Sequence, residues 1–339
     1  MFYKKFLSTI MLFTIILSGC VSPAESSSQT QNNSSKPQKS VSSNYNNITN
    51  YLIQADGEYT YLANYHSIYR GTVGSNDYEE IFTDENINMY KIAVADDKIF
   101  FSSVNRLYSI DKNGENLTYL AQLTDLDNGI NWTDFYIYKN EIYLEDLDKN
   151  TVKLLSFDPD MSTSDSIKRL YCTADGKEYE YLDNTELGDG KLHLIDSDIY
   201  APQNDIIYGS LYFTLTDNYI YYVTGTKNDF SADLQIKRCD FNGENTETIA
   251  EFNNNVYFSN YDEKYVYFHD DNSYYLIDIA ENKIIETPVI YQSGRGYEIC
   301  NGKLYNLLTL EPTVTDFSTG KTELLNLHPT LCFSSDAEQ

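Results

Sequence analysis

The chain has 339 residues, of which 41% are hydrophobic and 14% aromatic, and it holds 32 tyrosines. That apolar content supports a sizeable core and excludes wholesale disorder, while the tyrosine excess favours strands over helices. Lys and Arg total 24 against 51 Asp and Glu, and the net charge of -27 repels any polyphosphate backbone, which excludes nucleic acid as a partner.

At the front, Lys4 and Lys5 precede an apolar run from Phe6 to Leu17. The run is short for a bilayer span and has the length of a secretory signal core. It ends at Leu17-Ser18-Gly19-Cys20, which resembles the lipobox of bacterial lipoproteins in all four positions. Small residues ahead of the Cys let a peptidase reach the backbone, and the Cys20 thiol is the nucleophile that takes a diacylglyceryl. The resemblance implies a signal peptide over residues 1–19 and a lipidated Cys20. Two or more acyl chains, palmitate among them, would then hold the protein on the outer face of the cell membrane. An ordinary secretory signal ending near a buried Cys is the alternative.

Residues 21–50 are rich in Ser, Asn and Gln, with Pro23 and Pro37, and cannot bury enough surface to fold. With Cys20 they read as a disordered tether whose reach as a coil is about 30 Å. Lys4, Lys5, Lys36 and Lys39 against Glu25 make this front positive, so the acidity belongs to residues 51–339.

From residue 51 one pattern returns: a short strand, a polar turn and a Tyr- or Phe-rich strand. The second strands read EYTYL at 58–62, KIFFS at 98–102, EIYLE at 141–145, YIYYV at 219–223, KYVYF at 264–268 and KLYNL at 303–307. The turns before them recur about every 40 residues, with one gap near twice that. A second hairpin follows the first: LYSIDKNGENLTYL at 107–120, with LYCTADGKEYEYL at 170–182 and KRCDFNGENTETIA at 237–250 as parallels, each turning on a Gly. Weaker copies begin at Ser67, Tyr274 and Thr313. Two hairpins per unit make four strands, which predicts an all-β fold over 51–339: a β-propeller of about seven, alternatively six, four-stranded antiparallel blades. Between 146 and 216 the phase is open, since TVKLLSFD, KEYEYL and KLHLIDSD fit either an extra degenerate blade or two ordinary ones. Closure is expected to pair residues 51–54 with a C-terminal strand such as 331–333, leaving no open edge.

These units resemble a bacterial family of unknown function whose β-propeller domain is related to that of low-density lipoprotein receptor-related proteins, with an IYY strand followed by LYR and a Gly turn. The resemblance covers nearly all of residues 51–330 and implies an extracellular binding scaffold with no catalytic residues to carry over. The receptor propellers carry Tyr-Trp-Thr-Asp in the second strand; here Tyr and Phe stand there, and Trp132-Thr133-Asp134 falls in another phase.

No HExxH, GxSxG, P-loop or GxGxxG pattern occurs. His66 and His269 sit at matching places after the second strands of their units, facing one rim; solvated loop histidines are the plain alternative. The loop at 124–134 brings Trp132 to the same rim and that at 289–298 brings Tyr291 and Arg295. Trp, Tyr and Arg are enriched at binding hot spots, although Trp132 suits core packing equally. Most tyrosines alternate within strands and serve packing. No cofactor is expected, with Ca²⁺ the one candidate: Asp158, Asp160 and Asp165 in DPDMSTSD offer oxygens at intervals but lack the Gly and terminal Glu of a calcium loop. Of the cysteines beyond Cys20, Cys300 and Cys332 share one unit and form the pair to consider, unpaired thiols being the default.

Two functions follow. One is a membrane-anchored extracytoplasmic propeller binding a protein or polysaccharide partner. The other is a propeller enzyme such as a metal-dependent lactonase or esterase. An enzyme should show Asp, Glu, Asn or His at one end of successive first strands, and YLIQ, YKIAV, FYIY, VYFS and YEIC do not show that pattern.

Overall fold

Second strands such as KIFFSS and IYYVT carry apolar side chains at consecutive positions, which suits a strand covered on both faces better than one with a wet side. In the computed structural model, Ile220–Thr224 is buried along its whole length and Lys98–Ser103 at its four central residues. The structure describes residues 51–125, 130–131, 134–138, 141–146, 151–155, 166–168, 170–173, 176–183, 190–209, 212–225, 234–293 and 296–328.

Among them there is no helix. Seven antiparallel sheets follow one another over 53–83, 89–122, 134–168, 170–201, 213–252, 257–290 and 297–324, each with four strands paired in chain order. A two-stranded ribbon, Thr124–Asp125 with Ile130–Asn131, lies between the second and third. The first strands of neighbouring sheets touch. Ile53–Ala55 meets both Met89–Ala95 and Tyr297–Cys300, and Tyr257–Tyr261 meets Phe213–Leu215 and Tyr297–Cys300. First strands therefore line the inside, and fourth strands such as Thr322–Leu324 are exposed at the outside. This is an all-β propeller.

The core lies between sheets. Phe100, Leu107, Phe135 and Ile142 join the second to the third. Tyr179, Leu192, Leu215 and Tyr222 join the fourth to the fifth, and Tyr221, Val223, Val266 and Phe268 the fifth to the sixth. Tyr267, Leu276, Ile299 and Leu304 join the sixth to the seventh, while Ile53, Leu62, Ile99 and Tyr305 tie together the seventh, first and second. Each such side chain contributes about 1.5–3 kcal/mol by leaving water.

Many tyrosines do a second job. Asp56 accepts the Tyr59 N–H at 2.9 Å and the Tyr61 hydroxyl at 3.3 Å. Asp262 accepts the Tyr265 N–H at 2.8 Å and the Tyr267 hydroxyl, and Asp270 accepts the Ser273 N–H at 2.8 Å and the Tyr275 hydroxyl at 3.3 Å. A turn aspartate thus fixes the backbone three residues on and a tyrosine five residues on, which pins the hairpin register. Second-strand tyrosines, Tyr61 and Tyr267 among them, also latch onto the next sheet. Lys112 reaches Asp56 at 2.8 Å beneath the Tyr61 ring, the Tyr179 hydroxyl donates to Phe241 O at 2.5 Å, and Tyr267 packs on Phe317. Lys112, Phe241 and Phe317 each follow the aspartate of a turn between third and fourth strands.

Two expectations need correction. LYCTADGKEYEYL supplies the first and second strands of the fourth sheet, Leu170–Cys172 and Glu178–Asp183, and not a third and fourth. Its Gly turn uses the same backbone chemistry in either place. TVKLL and KLHL are third strands of the third and fourth sheets, so among the described residues they extend two ordinary sheets. Closure also differs. Residues 53–55 pair within the first sheet, and Asn326–His328 adds in parallel to that sheet's outer strand, Asp77–Thr83, as a fifth member. The outer edge carried the free N–H and C=O groups that needed a partner. Residues 331–333 lie outside the described residues, as do Cys20 and Cys332; Cys239 and Cys300 are buried free thiols.

Candidate functional site

At the end of the ring where first strands begin and second strands turn into third, the inner wall opens into a cavity of about 800 Å³. Tyr51, Tyr65, Tyr90, Tyr274, Tyr291 and Tyr297 all line it. These side chains come from the approaches to three inner strands and from the turns and connections of the first, second, sixth and seventh sheets.

Polar groups enter through the inner strands. Lys91 pairs with Asp134 at 2.8 Å, the two being only 12% and 8% exposed, and the Lys91 ammonium lies 5.0 Å from the Tyr51 ring centre. Asp134 also accepts the Phe135 N–H at 2.7 Å. On the other side Glu298, 3% exposed, accepts the Tyr51 N–H at 2.8 Å and is also bonded by the Leu52 N–H. Burial pushes its carboxyl up to about 8, against those N–H groups and the Lys91 ammonium, which favour the charged form. Tyr51 carries the opposite bond as well, its carbonyl accepting the Ile92 N–H at 2.6 Å. A third inner-strand polar residue, Asn260, donates to Ile299 O at 2.5 Å.

First strands therefore do bring Asp134 and Glu298 to one end, with Asn260 further along its strand; the window YEIC contains Glu298, whereas FYIY begins one residue after Asp134 and VYFS stops one residue before Asn260. Each of these groups bonds to a neighbouring sheet, and among the described residues no three of His, Cys, Asp and Glu converge as a metal site would need.

His269 and Tyr291 come together in the cavity wall, their rings stacked at 3.9 Å and 6°. Tyr257 stacks on the same imidazole at 5.4 Å, and His269 Nδ1 donates to Asp270 O at 2.9 Å. Burial lowers the His269 pKa, so the ring is a neutral aromatic surface at pH 7. His66 stands beside the cavity residue Tyr65, with Nδ1 donating to Ile87 O at 3.0 Å. Trp132, Arg295, Asp158, Asp160 and Asp165 lie outside the described residues. Glu298, Lys91 and Asp134 escaped the sequence reading. For Lys91 and Glu298 the signal is a charge set between a tyrosine and an isoleucine of an inner strand, Tyr90-Lys91-Ile92 and Tyr297-Glu298-Ile299; Asp134, between Thr133 and Phe135, lacks it.

No protein-family model and no curated protein matches the sequence. Among solved structures the chain is similar to Hsv2 from Kluyvelomyces marxianus, at 10% identity and TM-score 0.48 over 79% of this chain and 91% of that one. It is similar to YCF48 from Cyanidioschyzon merolae at 9% identity and TM-score 0.46, over 79% and 93%. A chain of a nidogen/laminin complex gives 10% identity and TM-score 0.39, over 80% and 94%. The propeller assignment rests on the chain's own sheets, and the family resemblance is met at the level of fold alone.

Proposed function

We propose that this propeller is a binding module, carried outside the cell membrane on a lipid at Cys20, that engages a protein or polysaccharide partner at the face bearing the cavity. The observation behind this reading is the cavity itself, walled by six tyrosines and the stacked His269–Tyr291 pair. Aromatic faces bind sugar rings and partner side chains alike, and rigid tyrosines give contact area at little entropic cost. Five exposed apolar side chains stand around the same face: Tyr65, Tyr90, Val104, Ile290 and Leu310. Tyr65, Val104 and Leu310 sit in turns after second strands, Tyr90 near the start of an inner strand and Ile290 at the end of an outer one, so the apolar groups are spread around the cavity mouth.

The test is capture of envelope proteins and glycans by the full chain and by a Tyr291→Ala variant matched for thermal stability. Binding at this face predicts at least about tenfold weaker capture by the variant, as for a hot-spot tyrosine. Equal capture by both proteins removes the reading. The anchor is tested separately: mass spectrometry of the mature N-terminus should find a diacylglyceryl on Cys20, and an unmodified terminus refutes it.

A further inference from the structure

The cavity holds two carboxyl groups, one ammonium and the neutral imidazole of His269. Lys91 and Asp134 neutralise each other at 2.8 Å. Glu298 has only backbone N–H partners, those of Tyr51 and Leu52, and among the described residues no cation pairs with it. A carboxyl 3% exposed, whose one nearby ammonium, Lys91, is already paired with Asp134, is costly to ionise in a folded protein and is seldom retained without use. Around it stand tyrosine rings whose π faces carry negative potential, the surroundings that favour an organic cation. One such contact already exists in miniature, where the Lys91 ammonium lies over Tyr51.

We infer that the cavity takes an alkylammonium group, with Glu298 as its counter-ion and the tyrosine rings as its walls. This rests on reading this face as the binding face. An anionic guest would oppose the ionisation of Glu298, and a neutral guest would leave the carboxyl protonated and its charge unused; a cation draws the proton off and satisfies the carboxylate and the rings together.

The inference carries a proton signature. Acting on Glu298 are Lys91 from the second sheet, Tyr51 ahead of the first, Tyr274 from the sixth and Cys300 from its own strand, and sharing the cavity with it are Asp134, His269 and Tyr297. Burial holds His269 neutral, raises Tyr274 beyond the ordinary phenol range and pushes Cys300 up to about 12. Glu298, at about 8, is left to give up the proton when a cation enters.

Choline and 3,3-dimethylbutanol have one shape and differ in charge, so calorimetric titration of the full chain in detergent with each is the test. Choline should bind at least about tenfold tighter than its neutral isostere. It should release close to one proton at pH 7, read from buffers of different ionisation enthalpy, and its affinity should rise on the order of tenfold between pH 7 and pH 9. Glu298→Gln should abolish both the preference and the proton release; if that variant does not fold, Tyr291→Ala should weaken choline binding instead. Nα-acetyl-lysine methylamide forms the second arm, and the tighter of the two ammonium ligands identifies the source as a protein side chain or a free small molecule. Equal affinity for choline and the isostere overturns the inference, as does binding without proton release. Failure of both ammonium ligands while Tyr291-dependent capture persists defeats this inference alone; loss of that capture defeats the binding reading as well.

Discussion

At Glu298, folding takes up a proton over the range in which the unfolded carboxyl, with its ordinary value of 4.5, is ionised and the buried one, at about 8, is not. The stability this group contributes is complete below pH 4.5 and is lost as pH rises to about 8, with a slope of up to about 1.4 kcal/mol per pH unit. Urea unfolding from pH 5 to pH 8 should show that decline in the wild type, and Glu298→Gln should flatten it. Lys91 and Asp134 make a different case, since removing one member strands the other. Lys91→Met should cost about 3–5 kcal/mol, and adding Asp134→Asn should restore most of it; equal instability of the single and double variants would show that the pair is not coupled. From the sequence His269 and Tyr291 are expected on one rim, and their rings lie together in the cavity wall, while the other cavity tyrosines are not singled out. The charged half stayed hidden because a Lys or Glu in a strand reads as a solvent-facing position, and only the closing of the ring turns Lys91 and Glu298 inward.

Among the hairpins, turns of similar composition differ in what they touch. Gly114 has φ +85°, and a Cβ there would stand 1.7 Å from the carbonyl oxygen of Ile81 on the outer strand of the preceding sheet. Gly57 has φ +96°, but a Cβ there meets nothing within 4 Å. Gly57→Ala should therefore cost about 1 kcal/mol from the backbone alone, and Gly114→Ala distinctly more, through a forced separation of two blades. Chemical denaturation of both variants checks the order, and equal losses would mean that the turn gives way without disturbing its neighbour. The second strands were legible from sequence because double-sided burial writes unbroken aromatic runs, as in KIFFS and YIYYV. The fourth sheet was not: the turn at Gly176 has φ +85°, as at Gly114, so local chemistry does not tell a first hairpin from a second.

Across the whole molecule, the strand pairing that joins the last sheet to the first is three residues long, Asn326–His328. Asn326 donates its N–H to Asn76 O at 2.9 Å and its side-chain amide to Asp77 at 2.6 Å, bridging 249 residues of sequence. Asn326→Pro should cost about 1–3 kcal/mol and expose the edge of Asp77–Thr83 to self-association, whereas Asn326→Ala loses only the side-chain bond. Thermal unfolding and size-exclusion chromatography distinguish them, and a monomeric Asn326→Pro protein of wild-type stability would show the seam to be dispensable. The sequence implied that some seam exists but not which edge, because residues 51–54 look equally suited to pairing until the first sheet claims them. Tyr51 remains as the junction. Its N–H holds Glu298 and its carbonyl holds Ile92, while its ring faces Lys91. It is also where the polypeptide enters the propeller, ahead of the first strand. A pull on the chain ahead of Tyr51 is therefore felt first at the Tyr51–Glu298 bond in the cavity wall, before the first strand's pairing bears load, so tension on the chain and occupancy of the cavity act on the same hydrogen bond.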